Sequence, residues 1–282
     1  MKSHELNQQI SEALQELDAA LEQGRSDQLQ RYLEAMARFP RYSLGNVLLI
    51  ASQCPEASQV AGFRTWQRLG RYVRPGEKAI RILAPVRRKK DDGQSMTDDA
   101  AQAPKVGTDR PRIVGFRPAC VFDISQTHGK ALPEPAQATG DAADHLHRLE
   151  AFVQSLGVEL AEADLGPTVD GTSSGGKITL RPGLAPPARL AVLTHELAHE
   201  LLHQIHQQER PNHRKRETEA EAVAFVVCHA LGLSARTAAS DYIQLHGGDQ
   251  EVLASSLRRI QSTAADILEA VAPPPRSHTS PG

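Results

Sequence analysis

The chain has 282 residues, 32 Lys plus Arg against 34 Asp plus Glu, a net charge of −2 and 40% hydrophobic residues. Those values fit a soluble globular protein of one or two domains, and any pull towards nucleic acid must come from local clusters rather than overall charge. Three scattered cysteines argue against a disulfide scaffold, and with no signal-peptide core or run of 18 apolar residues the expected compartment is the cytoplasm, without a membrane.

Residues 5–37 show helical spacing of Leu6, Ile10, Leu14, Leu17 and Leu21, a break near Gly24, then Leu29, Leu33 and Met36. Phe39-Pro40 stops the run. Ser43 is placed to cap a short apolar helix that ends at Pro55. Pro75-Gly76 marks a turn, and residues 78–85 alternate as a strand. Residues 64–90 carry Arg64, Arg68, Arg71, Arg74, Lys78, Arg81, Arg87, Arg88, Lys89 and Lys90 against one acid, Glu77. Phe63, Trp66 and Tyr72 lie among them. Cations that follow phosphates and rings that stack on bases suit single-stranded nucleic acid. The residues expected to make those contacts are Arg64, Trp66, Arg71, Tyr72, Arg74 and Lys78. The competing reading makes the aromatics core and the arginines a solvated face.

The polar, charge-blocked stretch 87–111 reads as a mobile loop. Ile113–Arg117 and Cys120–Ile124 then close a sheet. Phe39-Pro-Arg-Tyr42-Ser43-x-x-Asn46, Gln53-x-Pro55 and Val60-Ala-Gly62-Phe63-x-x-Trp66-x-x-Leu69-Gly70-Arg71-x-Val73-x-x-Gly76-Glu77-Lys78 are followed by Gly115-Phe116-Arg117-x-x-x-Val121-Phe122-Asp123-Ile124-Ser125-Gln126-Thr127. Together these resemble the N-terminal domain of ArdC-type antirestriction proteins. That resemblance implies a small α+β domain over 1–128 that binds single-stranded DNA and precedes a zincin-like protease domain.

Residues 129–140, with Pro133 and Pro135, read as a linker. A helix follows over 141–156, then a strand from Val158, a turn over 172–176 and a strand over 177–181. That last strand is placed to serve as an edge for an extended peptide, or as an ordinary sheet strand. Pro186-Pro187 opens the next helix. It holds His195-Glu196-Leu197-Ala198-His199 among apolar residues at three- and four-residue spacing. One turn apart, His195 and His199 can converge on a single zinc ion, and Glu196 stands where a general base for hydrolysis has to be. His203 is too far along the helix to be a third ligand, and Leu202 gives no reason for the helix to break, so His203 is expected to be packed. Residues 216–228 form a second helix with Glu217, Glu219 and Glu221 at its start. Glu219 borders the apolar stripe, while dipole complementarity accounts for the other two. Tyr242 is a candidate oxyanion partner, though a lone Tyr is more often packed. A last helix covers 249–271, and the tail 272–282 is expected to be disordered.

His-Glu-Leu-Ala-His followed by Glu-Thr-Glu-Ala-Glu-Ala-Val-Ala-Phe resembles the ImmA/IrrE-type zinc metallopeptidases. The resemblance implies Glu219 as third ligand, with Glu217 and Glu221 as the alternatives. The expectation is thus an α+β protein of two domains, 1–128 and a zincin-like 141–271. It would bind one Zn2+ at His195, His199 and Glu219, use Glu196 as catalytic base, and act on a protein or peptide near single-stranded DNA. The alternatives are a non-catalytic DNA-binding antirestriction protein of a mobile element and a regulatory peptidase that cuts a repressor.

Overall fold

The computed structural model describes residues 2–88, 112–132, 142–203, 212–233 and 250–271. Of the expected loop 87–111, residues 87 and 88 continue a strand and 89–111 lie outside the described residues, as do most of the linker, Tyr242 and the tail.

Three helices open the chain: α1 (Ser3–Glu22), α2 (Asp27–Arg38) and α3 (Leu44–Gln53). The break near Gly24 is the α1–α2 turn, where Gly24 has φ 75°. Ser43 is the N-cap of α3 but its side chain makes no capping bond. A short strand β1 (Val60–Ala61), helix α4 (Phe63–Arg68) and strand β2 (Arg71–Val73) lead to the hairpin of β3 (Ile80–Arg88) and β4 (Arg112–Asp123). The two strands expected over 113–124 are one continuous strand. The first sheet has order β1-β4-β3 and is antiparallel, and β2 pairs with β5 (Thr127–Gly129).

The open edge of β3 is closed by side chains. Asn46 Nδ2 donates to Leu83 O at 2.9 Å while its Oδ1 accepts from Leu83 N at 2.9 Å. Gln53 treats Arg81 the same way, 2.9 Å in each direction. Two amides on α3 thus continue the ladder where another strand would otherwise dock. Asp123 accepts from the backbone N–H groups of Ser58, Gln59 and Ser125, and Trp66 Nε1 donates to Phe122 O at 2.9 Å. A Cβ on Gly129 would lie 2.4 Å from Gly70 O, so the β2–β5 pair requires glycine there.

The second half begins with α5 (Ala142–Ser155), β6 (Glu159–Glu162), β7 (Gly171–Ser173) and β8 (Lys177–Leu180). Its sheet has order β6-β8-β7, with β6 parallel and β7 antiparallel to β8. The strand at 177–180 is therefore central, paired on both sides, and cannot be a peptide-docking edge. The edges are β6 and β7, and β7, the one against α6, has three residues, too few to show a period. Helix α6 (Pro186–Leu202) starts with proline at its first positions, α7 (His213–Ala230) is capped by Asn212 Oδ1 accepting from Lys215 N at 2.8 Å, and α8 (Gln250–Val271) ends the described chain. The helix does not run on past Leu202: His203 is its C-cap.

One continuous apolar core links the two halves. It includes Leu29 and Met36 of α2, Val121 of β4, Leu197 of α6, Val223 of α7 and Ile260 of α8. Helix α2 packs on α7, and α1 and α3 meet α8. Gln261, buried on α8, reaches the carbonyls of Pro40 at 3.1 Å and Tyr42 at 3.3 Å. No described helix is long and apolar enough to cross a membrane.

Candidate metal centre

Helix α6 packs closely on α7, with β7 lying against its other side. The 3.6-residue period puts His195 and His199 on the same face of α6, and their Nε2 atoms stand 3.1 Å apart. Glu217 comes from α7 to meet them. Its Oε2 is 3.5 Å from His195 Nε2 and its Oε1 3.5 Å from His199 Nε2. These three donors form a group compact enough for one metal ion. Ligands at about 2.05 Å from a tetrahedral cation are about 3.3 Å from one another. The imidazole pair at 3.1 Å matches that spacing, Glu217 faces each ring with a different oxygen at 3.5 Å, and imidazole nitrogen with carboxylate oxygen is a donor set that divalent transition metals accept. The residues present therefore fit a divalent cation.

Glu219 is not part of this group. Its side chain is 1% exposed, and Ser256 Oγ donates to it at 2.7 Å. Arg259 Nη1 lies 3.4 Å and His203 Nε2 3.5 Å from its other oxygen. In place of the expected Glu219, the carboxylate that meets the two imidazoles is that of Glu217, because Glu219 faces α8 and the core instead of α6. Glu221 takes a supporting place: its Oε2 lies 3.4 Å from His195 Nδ1, which leaves Nε2 directed at the cation position. His203 is packed at the end of α6, 4% exposed.

The electrostatics follow from this crowding. Burial alone would lower the pKa of His195, but Glu217 and Glu221 overcome it and raise the value to about 9. The same hydrogen bonds from His195 and His199 hold the Glu217 carboxyl well below the usual range. Burial raises the Glu196 carboxyl, against the pull of both histidines. For His203, burial with Arg259 and His199 nearby lowers the pKa to about 4.

Two features of the site carried no recognisable signal in the sequence. Glu200, next to His199, fastens the β7–β8 turn: Gly175 N and Gly176 N donate to it at 2.9 and 2.7 Å, and Ser173 Oγ also donates. Both glycines have positive φ, 76° and 89°, which lets the turn present its N–H groups to one carboxylate. Gly171 is pressed against α6. A Cβ there would stand 2.6 Å from Val192 Cγ1 and 3.0 Å from Glu196 Cγ. Glu196 is therefore held between α6 and the edge strand. The resulting cleft has a volume of ≈ 350 Å³ and runs from β7 across the triad to the first turns of α7.

The residues expected to touch DNA divide into two groups. Trp66 is 1% exposed and bonded to Phe122 O, so it is not available for stacking. Arg71 donates to Thr127 Oγ1, Thr127 O and Lys130 O, and Arg74 donates to Glu77 and Ser125 O, so both guanidiniums hold the β2–β5 region together. Arg64 and Lys78 are exposed, and Tyr72 is 52% exposed beside the His128 ring. Phe63, not among the expected contacts, is 48% exposed. The interleaved aromatics are thus divided between the two readings, with Trp66 in the core and Phe63 and Tyr72 outside.

Residues 3–117 match the family of N-terminal domains of the anti-restriction factor ArdC. The chain is also similar to an uncharacterized Bacillus anthracis protein, pXO2-81, at 25% identity over 272 residues, covering 84% of this chain. It spans about half of that relative's own length, 46%. Among solved structures, the metal-free antirestriction protein ArdC from plasmid R388 shares the fold with a TM-score of 0.54 and 19% identity, over 93% of this chain and 97% of that one. Its Mn(II)-bound form gives a TM-score of 0.54 at 17% identity, over 96% and 99%. The mixed α+β fold is therefore shared with the R388 ArdC structure along nearly the whole chain, and the family match lies in the half that precedes the candidate metal centre.

Proposed function

We propose that this chain is a single-stranded-DNA-binding protein of antirestriction type whose second half is a zincin-like, ImmA/IrrE-like metallopeptidase. The observation that carries the hydrolytic part is the meeting of two imidazole Nε2 atoms and the Glu217 carboxylate within 4.8 Å of one another, with the buried Glu196 carboxyl on the same helix as the imidazoles. His195, His199 and Glu217 would hold the cation. A divalent ion there supplies Lewis acidity and brings the pKa of a water towards about 7. Zinc is the expected occupant, and the Mn(II)-bound R388 protein supports a site that also takes manganese.

The remaining steps belong to the chain. With its carboxyl raised by burial, Glu196 is suited to exchange protons nearer neutral pH. It accepts a proton from the attacking water and hands it to the leaving amine of the cleaved peptide bond. Glu221 keeps the His195 ring oriented. The β7 edge offers backbone groups on the side away from β8 to an extended polypeptide. In the first half, Phe63, Tyr72 and His128 with Arg64 and Lys78 provide rings and cations for a single strand.

The test compares the parent protein with Glu196→Gln for metal content and for cleavage of itself and of added protein, with and without single-stranded DNA. Both proteins should hold one metal ion per chain, only the parent should cleave, and DNA should raise its rate. Full cleavage by the Gln variant would end the hydrolytic reading.

A second reading is a non-catalytic antirestriction protein whose metal is structural or regulatory. Two observations favour it: the family match ends at residue 117, and the R388 fold exists both without metal and with Mn(II). It expects metal and DNA binding with no cleavage in either protein. If about five phosphates are neutralised, log K should fall with log salt at a slope near −3.5.

A further inference from the structure

The cleft beside the triad carries a cation that neither metal binding nor proton transfer uses. Arg216 precedes Glu217 on α7, and its side chain lines the cleft together with His199, Glu200 and His203. Its Nε is shielded from solvent and meets no acceptor. Other arginines of this half are satisfied internally: Arg189 by Glu150 and Glu162, Arg181 by Asp170, and Arg259 by Leu202 O with Glu219 beside it. Nor do the nearby carboxylates turn to Arg216. Glu200 is occupied by Ser173, Gly175 and Gly176, and Glu217 by the histidines. A sheltered guanidinium N–H without an acceptor is unfavourable unless a ligand supplies one.

We propose that Arg216 recognises a carboxylate on the polypeptide that occupies the cleft, either an acidic side chain or a free C-terminus. The inference rests on the reading that this cleft receives a polypeptide. The planar fork of a guanidinium matches a carboxylate with two parallel N–H···O bonds. A DNA phosphate is the rival anion. It is disfavoured because Glu196, Glu200 and Glu217 stand in the cleft walls, and because among the described residues that line the cleft none precedes Gly171. The exposed basic and aromatic face of the first half is elsewhere.

The experiment uses full-length Glu196→Gln protein loaded with Zn2+ or Mn2+, so that binding is read without turnover. Fluorescence anisotropy follows short labelled peptides of one sequence in four forms: Glu with an amidated C-terminus, Gln with a free C-terminus, both carboxylates, and neither. A single-stranded oligonucleotide is the fifth probe. In the Arg216 protein, a carboxylate-bearing form should bind about 10- to 100-fold tighter than the neutral form. The first two forms tell which carboxylate is read. Arg216→Gln should abolish the preference, Arg216→Glu should reverse it towards the neutral form, and Arg216→Lys should keep part of it. Metal content and melting temperature of each variant establish that the site is intact. Equal binding of charged and neutral peptides by the parent, or an unchanged ratio in both Arg216→Gln and Arg216→Glu, overturns the proposal while leaving the polypeptide cleft standing. Loss of oligonucleotide binding in Arg216→Glu, with peptides unaffected, makes the residue a phosphate contact and overturns it too. If no peptide binds the metal-loaded protein at all, the polypeptide reading itself fails.

Discussion

A helix turns by about 100° per residue, so Glu217 and Glu221 share a face of α7 while Glu219 points almost the opposite way. The first two reach His195 on α6, and the third is taken by Ser256 and Arg259 on α8. Removing a neighbour of a metal ligand costs about 10–100-fold in affinity, so losing a ligand costs more. Glu217→Ala should therefore weaken metal binding by more than about 100-fold in a metal titration. Glu219→Ala should keep one metal per chain but lose about 1–3 kcal/mol in urea unfolding, because it leaves the buried Ser256 hydroxyl without its acceptor and the half-buried Arg259 without its carboxylate. The pH dependence has a definite sign. A ligand imidazole must be neutral, yet His195 in the metal-free protein stays protonated up to about 9. Metal and proton compete, so affinity should rise about tenfold per unit between pH 7 and 9 and level off above. A flat profile would mean that His195 is not a ligand. The imidazole pair was legible in the sequence because a four-residue spacing on an apolar helix has one geometric meaning. The choice among three glutamates was not. It is decided by α8, whose Ser256 lies 37 positions away and leaves no mark near Glu219.

At the contact of α6 with β7, close approach matters more than chemistry. Gly171 has no atoms where Val192 Cγ1 and Glu196 would meet a Cβ at 2.6–3.1 Å. Gly171→Ala should push the strand or Glu196 aside. We expect an overpacking loss of about 1–3 kcal/mol in stability and a fall in any cleavage rate, with metal stoichiometry unchanged. An alanine variant with the parent's melting temperature and rate would show that the gap is not needed. The longer elements could be read from their periodicity, including α1, α2, α6 and α8. β7 could not, since three residues show no alternation, and the centrality of β8 depends on strands that flank it only after folding. The fixed spacings of the first half are mostly scaffold: Asn46 and Gln53 close the edge of β3, and Asp123 and Trp66 tie the loop before β1 and α4 to β4. A tryptophan among arginines resembled a stacking platform because sequence cannot show that its indole N–H already has an acceptor.

The core runs without interruption from α1–α3 into α6–α8, and the proline-bearing stretch expected to separate two domains does not divide it. Heat or urea should then unfold the described elements in one cooperative transition, monitored both at Trp66 and by far-UV circular dichroism. A cation at 100 times its dissociation constant adds about 2.7 kcal/mol and should raise the melting temperature of the whole by roughly 5–10 °C. Two transitions, with metal moving the second alone, would show that the halves fold separately.

The same continuity governs what happens if the backbone is severed between residues 132 and 142. Neither fragment could leave without exposing the core that Leu29 and Met36 of α2 share with Val223 of α7 and Ile260 of α8, and Gln261 would lose its carbonyls at Pro40 and Tyr42. The nicked protein should elute as one particle, and the two pieces, expressed apart and mixed, should reassemble by complementation.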